Sequence, residues 1–144
     1  MVKIIALKSA DELIKATAVM HALRPQLNED NIAMIIGGMI TRGYNLLGLE
    51  ENGLIVAACG YRFTEHLHWG KAIYIDDLST LSTFRKKGYA RKLLDEVVHL
   101  AEKNECREVH LDSGCGPNRY DAHRMYLSYG FNITSHHFAF SIKK

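Results

Sequence analysis

The chain has 144 residues, 47% apolar and 24% charged, with a formal net charge of +2. That length suits one domain, 1–144, able to bury a core of its own, and the near-neutral balance argues against nucleic acid as a partner. The cysteines Cys59, Cys106 and Cys115 are odd in number and lack CxxC spacing, which suggests neither a disulfide framework nor a zinc site.

Residues 2–7 predict a first strand. Ser9 offers a helix N-cap with Glu12 at the capping-box position. Leu13, Ala16, Thr17, Met20 and Leu23 continue on one helical face, and Arg24-Pro25 ends it. Asn28 caps a second helix with Glu29 and Asp30 in its first turn; Ile32, Ile35, Ile36, Met39 and Ile40 form its apolar side, and Gly43 closes it. Residues 44–50 and 54–64 predict two strands around Glu51-Asn52-Gly53, because Asn-Gly supplies the positive φ angles of a tight hairpin turn. Residues 65–70 predict a second turn, so His66, His68 and Trp69 are assigned to a loop rather than a site. A strand follows over 71–81, a helix over 88–104, a strand over 108–112, a loop over 113–117 and a helix over 119–129 that Gly130 stops. Two short strands are expected at 131–134 and 137–142. No apolar run approaches ~20 residues, so no membrane span is expected. Residues 1–7 lack the apolar core of a secretory signal, so the expected location is cytoplasmic.

The turn from the 71–81 strand into the 88–104 helix concentrates the chemistry. After Gly88, Tyr89, Leu93, Leu94, Val97 and Ala101 recur at helical spacing. Arg85, Lys86, Lys87, Gly88, Tyr89 and Ala90 therefore lie at a helix N-terminus. There the first backbone N–H groups have no partner within the helix and carry partial positive charge, which suits a phosphate. The motif is neither G-x-x-x-x-G-K-[ST] nor G-x-G-x-x-G. It reads R-x-x-G-x-A.

On this strand and this helix, that motif resembles the acetyl-CoA pyrophosphate loop of the GCN5-related N-acetyltransferases, the GNAT superfamily. Tyr74-Ile75-Asp76-Asp77-Leu78 resembles the hydrophobic-acid-Asp-Leu strand of small-molecule members. Asp121-Ala122-His123-Arg124-Met125-Tyr126 followed by Gly130-Phe131 resembles the terminal Ala-x-x-x-Tyr…Gly-Phe signature. Leu111-Asp112-Ser113-Gly114 with Arg119, His123 and Ser135-His136-His137-Phe138 resembles a bacterial subset of the superfamily. The element order β-α-α-β-β-β-α-β-α-β-β matches as well. The implied fold is α/β (α+β): a mixed sheet of about seven strands, its fourth and fifth splayed, with about four helices.

The resemblance implies acetyl-CoA as co-substrate, no metal, and a primary amine as acceptor. Backbone groups of Leu78, Ser79 and Thr80 would pair with the pantetheine arm as an added strand would, and the Leu78 N–H would polarise the thioester carbonyl. Residues 85–90 would hold the pyrophosphate. Asn118 stands one position before the family's usual Asn, where this chain has Arg119. An amine must be neutral to attack, and its pKa is about 10, so a nearby carboxylate, directly or through a water, or one of His123, His136 and His137, can take the proton. Asp76 is the first choice, because period two puts it on one strand face with Leu78 and Thr80 and turns Asp77 away. Tyr126 is the implied donor to the leaving thiolate. Arg24, Arg119, His123 and His137 are expected on the acceptor side. A non-catalytic acyl-CoA sensor and an acetyltransferase of peptide amines are the competing readings. A homodimer is left open, and no membrane partner is expected.

Overall fold

The structure, a computed structural model, describes residues 1–143. They form two compact units, Met1–Leu111 and a second beginning at Asp112.

The first unit is built on one five-stranded sheet in chain order. Its strands are β1 (Val2–Leu7), β2 (Asn45–Glu51), β3 (Leu54–His66), β4 (Gly70–Thr80) and β5 (Glu108–Leu111). The first four form an antiparallel meander, and β5 joins β4 in parallel. A parallel neighbour needs a crossover connection, and α4 (Tyr89–Lys103) supplies it. The Asn-Gly turn forms between β2 and β3, with Asn52 at φ +52 and Gly53 at φ +83, the left-handed values such a turn demands. The second hairpin is tighter than the sequence suggested. β3 runs on to His66, which pairs with Gly70, so His66 belongs to a strand.

The first expected helix is two. The capping box of Ser9 and Glu12 opens α1 (Ala10–Ile14), and α2 (Thr17–Leu23) follows. Between them Lys15 and Ala16 donate to the carbonyls three residues back, a tightening that ends an α-helical run. Leu13, Ala16, Val19 and Met20 are all buried across this break. α3 (Glu29–Ile40) is capped by Asn28 as expected, and Ile32 and Ile36 bury against Leu7, Leu46 and Ile55 in the same cluster. On α4 the buried residues are Tyr89, Leu93, Leu94, Val97 and Ala101, the stripe that the helical period specifies.

The second unit contains a 3₁₀ turn (Pro117–Arg119) and α5 (Tyr120–Tyr129). Gly130, at φ +123, closes α5, and the N–H groups of Gly130 and Phe131 both reach the Tyr126 carbonyl. The strands expected at 131–134 and 137–142 do not form. The described residues thus hold five strands and five α-helices rather than seven and four. No helix among them is long and apolar enough to cross a membrane.

Candidate active site

Halfway along, β4 changes character. Its pairing with β5 runs from Ala72 opposite Glu108 to Ile75 opposite Leu111 and stops. Among the described residues, 76–80 pair with β3 alone, so their other backbone edge has no strand partner, the pattern an added chain can use.

A bulge sits at this transition. Tyr61 faces Ile75 and Gly60 faces Asp77, so Asp76 is the extra residue on β4. One inserted residue reverses which face every later side chain takes. Asp76 therefore shares a face with Tyr74, Asp77 and Ser79, while Leu78 and Thr80 take the other. This corrects the face assignment read from period two, which grouped Asp76 with Leu78 and Thr80.

The bulge gathers two carboxylates into one polar network. Arg62 Nε donates to Asp76 Oδ2 at 2.8 Å. Arg24 donates twice to Asp77 Oδ1, at 3.1 and 2.8 Å, and once to the Asp76 carbonyl at 3.0 Å. Tyr44 donates to Asp77 Oδ2 at 2.7 Å, and the Arg62 guanidinium lies 5.3 Å from the Tyr44 ring centre. Burial, then the charge of Asp77, pushes the Tyr44 phenol far above its ordinary pKa, so it stays a donor. Gly60 makes room: a Cβ there would meet the Tyr44 hydroxyl at 1.7 Å. Asp76 Oδ1 is buried with no hydrogen-bond partner among the described residues. A buried carboxylate oxygen left unpaired is costly, so it is a ready acceptor for an incoming N–H group.

Arg24 is thus tied to Asp77 across 53 positions of sequence while its side chain stays 42% exposed. Ser79 is also redirected. Its hydroxyl donates to the Val19 carbonyl at 3.0 Å, so its side chain ties β4 to α2. Sequence reasoning missed Tyr44 and Arg62. Only the cross-strand register brings them to the carboxylates, although a glycine in the middle of β3 signals close approach by a large neighbour.

Beyond Thr80 the chain makes a 3₁₀ turn (Ser82–Phe84) and enters the basic loop. Arg85 Nε donates to the Thr80 carbonyl at 3.3 Å. Lys86 takes φ +65 and Gly88, the N-cap of α4, takes φ +79. No side chain caps α4, and its first turn holds no acid. A Cβ on Gly88 would meet nothing within 4 Å. Glycine is therefore needed for its left-handed φ rather than for a close neighbour, and no side chain takes the N-terminal amides. Lys86 is exposed, and Ala90 and Leu78 are half-buried. Lys87 Nζ lies 3.6 Å from Glu51 Oε1 and 5.2 Å from the Phe84 ring centre. The Tyr89 hydroxyl donates to the same Glu51 oxygen. These bonds, Tyr89 first and then Lys87, hold the Glu51 carboxyl below its usual range, and the Glu51 acceptor raises Tyr89.

The second unit holds the remaining sequence-predicted residues. Tyr126 is buried on α5 and meets Phe131 edge-on, with ring centres 5.9 Å apart. His123 Nε2 contacts the Gly114 carbonyl at 2.7 Å. Asn118 and Arg119 lie in the 3₁₀ turn before α5. His137 Nδ1 stands 3.7 Å from Asp112 Oδ2.

The model of the acetyltransferase (GNAT) family matches residues 15–131. The chain belongs to that family. A curated relative, the uncharacterised N-acetyltransferase YhdJ of Bacillus subtilis (strain 168), is 34% identical over 134 residues, spanning 92% of this chain and 93% of the relative. Among solved structures, an aminoglycoside N-acetyltransferase, AAC(6')-Iy in complex with CoA, superposes with a TM-score of 0.83 at 15% identity, covering all of this chain and 96% of that one. A ribosomal-protein-alanine N-acetyltransferase from Brucella melitensis biovar Abortus 2308 gives 0.82 at 17% identity, covering 99% and 100%. At such identities the superpositions speak for a shared GNAT fold. Family membership makes this chain an acetyltransferase by descent.

Proposed function

We propose that this GNAT chain works as one domain, 1–144, and transfers the acetyl group of acetyl-CoA to a primary amine of a small acceptor. One observation carries the reading. β4 outruns its pairing with β5 and leads, within a few residues, to the open N-terminus of α4.

The residues present fit acetyl-CoA. The amides at Gly88, Tyr89 and Ala90 would receive the pyrophosphate at the positive end of the α4 dipole, with Arg85, Lys86 and Lys87 adding charge. Backbone groups of Leu78, Ser79 and Thr80 would pair with the pantetheine arm along the free edge of β4. Asn118 is assigned to the cofactor side as well. Acetyl-CoA supplies the activated acyl group; the chain supplies position and proton transfer. Asp76 takes the proton of the attacking amine, directly or through a water, using the oxygen that Arg62 leaves unpaired. Its position on the Arg24–Asp77–Tyr44 face makes that network the wall behind the acceptor. Tyr126 is assigned as the acid that protonates the departing thiolate. Arg119, His123 and His137 are assigned to the acceptor side.

Calorimetry with acetyl-CoA, followed by thiol release over a panel of amines, tests the reading. Binding with turnover on one amine class supports it. Failure to bind acetyl-CoA removes it, and binding without turnover on any amine turns the chain into a sensor. Tyr126→Phe should lower turnover about 100-fold or more while leaving acetyl-CoA affinity in place; an unchanged rate would strip Tyr126 of its role.

A further inference from the structure

The two carboxylates at the β4 bulge are satisfied unequally. Asp77 is complete: Arg24 gives two bonds to Oδ1, and Tyr44 donates to Oδ2. Asp76 is not. Arg62 reaches its Oδ2 through Nε at 2.8 Å, while Oδ1 is buried with no hydrogen-bond partner among the described residues. Arginine and carboxylate commonly pair through two parallel bonds. Here the second bond is missing from both sides, because neither Nη group of Arg62 bonds to a described residue. Arg62 is nevertheless held. Its guanidinium lies 5.3 Å from the ring centre of Tyr44, a buried side chain fixed in turn by Asp77. The Arg62 side chain is 35% exposed and that of Asp76 22%, so the pair is positioned and still reachable from solvent.

Charge decides what fits. Arg24 and Arg62 match Asp77 and Asp76, so the network has no net charge with which to draw a simple cationic amine. It offers instead two adjacent and opposite groups: a carboxylate oxygen that accepts, and Nη groups that donate. A ligand that satisfies both carries an amine and an anion side by side. A carboxylate suits the flat fork of a guanidinium, and in an α-amino acid a single carbon separates it from the amine. Resting on the reading in which the acceptor amine meets Asp76, we propose that the acceptor is a free α-amino acid, its amine on Asp76 Oδ1 and its carboxylate on the Nη groups of Arg62. Arg62 then sets specificity. It separates the free acid from a plain amine and from a peptide N-terminus, whose neighbouring carbonyl is an uncharged amide.

Calorimetry on the full chain with CoA present tests this, using the common amino acids, their amides, and the matching amines that lack the carboxyl. Thiol release from acetyl-CoA is followed over the same panel. At least one free acid should bind about 10- to 100-fold more tightly than its amide or its amine, as charge-assisted bonds to a carboxylate require. Arg62→Met should remove that preference, and Arg62→Lys, which keeps the charge, should restore part of it. A merely structural role for Arg62 would instead weaken acid and amide alike. The wild-type comparison of acid with amide decides the matter even where a variant fails to fold. Equal binding of acid and amide would overturn the inference, as would a panel in which no free acid binds, or a folded Arg62→Met that keeps the preference. Turnover confined to amines without a carboxyl would overturn it and leave the transfer reading in place. A free acid that binds beside CoA and is never acetylated would support the site and remove the transfer reading.

Discussion

The two halves of β4 have opposite designs. The first half is paired on both sides and filled with core: Ala72, Ile73 and Ile75 are 0%, 0% and 2% exposed. The second half carries a bulge, two carboxylates and a serine, and has a strand on one side only. A regular ladder satisfies its own backbone and leaves nothing for a ligand. Ending one pairing and inserting one residue creates both an open edge and a concentration of charge. The rigid half holds the irregular half in place.

If the second half carries the chemistry, changes there should act on rate and changes in the first half on stability. Asp76→Asn should give the largest effect, lowering turnover about 100- to 10,000-fold with acetyl-CoA affinity retained; full activity would move the base elsewhere. Ile73→Ala should cost about 2–5 kcal/mol of stability through the cavity it leaves, measured by denaturant unfolding, with little change in the KM for acetyl-CoA. A selective loss of cofactor binding would blur the division between the halves. Gly88→Asp puts a negative charge at the α4 N-terminus and a Cβ at φ +79. It should weaken acetyl-CoA binding about 10- to 100-fold by calorimetry.

Glu51→Gln should have the smallest effect. It releases Lys87 from its ion pair, which should tighten acetyl-CoA binding about twofold. The Glu51 carboxyl is depressed in the folded chain, so its stabilising contribution is present above the ordinary carboxyl pKa and is lost as pH falls through the lowered value. The Tm gap between wild type and variant should therefore close on acidification below about pH 4. A gap that persists in acid would mean that Glu51 acts through packing instead.

Much of the frame was legible because local rules decide it. The Ser9–Glu12 capping box, the Asn28 cap, the Asn-Gly turn and the buried stripe of α4 all follow from neighbouring residues. The phosphate loop was legible for the same reason, since Gly88 and its three basic predecessors are contiguous. The face of Asp76 was not, because an unpaired residue is invisible until β3 fixes the register. The partners of Arg24 and the hydroxyl bond of Ser79 were hidden too, since they span 53 and 60 positions.

By itself the sequence determined the five strands of the sheet and their order, the basic loop at the head of α4 and the family, because each is written in short stretches of side-chain period and turn chemistry. Only the tertiary structure decided which carboxylate faces which arginine, where β4 parts from β5, and that residues 131–143 form no strand. Those outcomes depend on how strands far apart in the chain align, and one residue of slippage changes the answer.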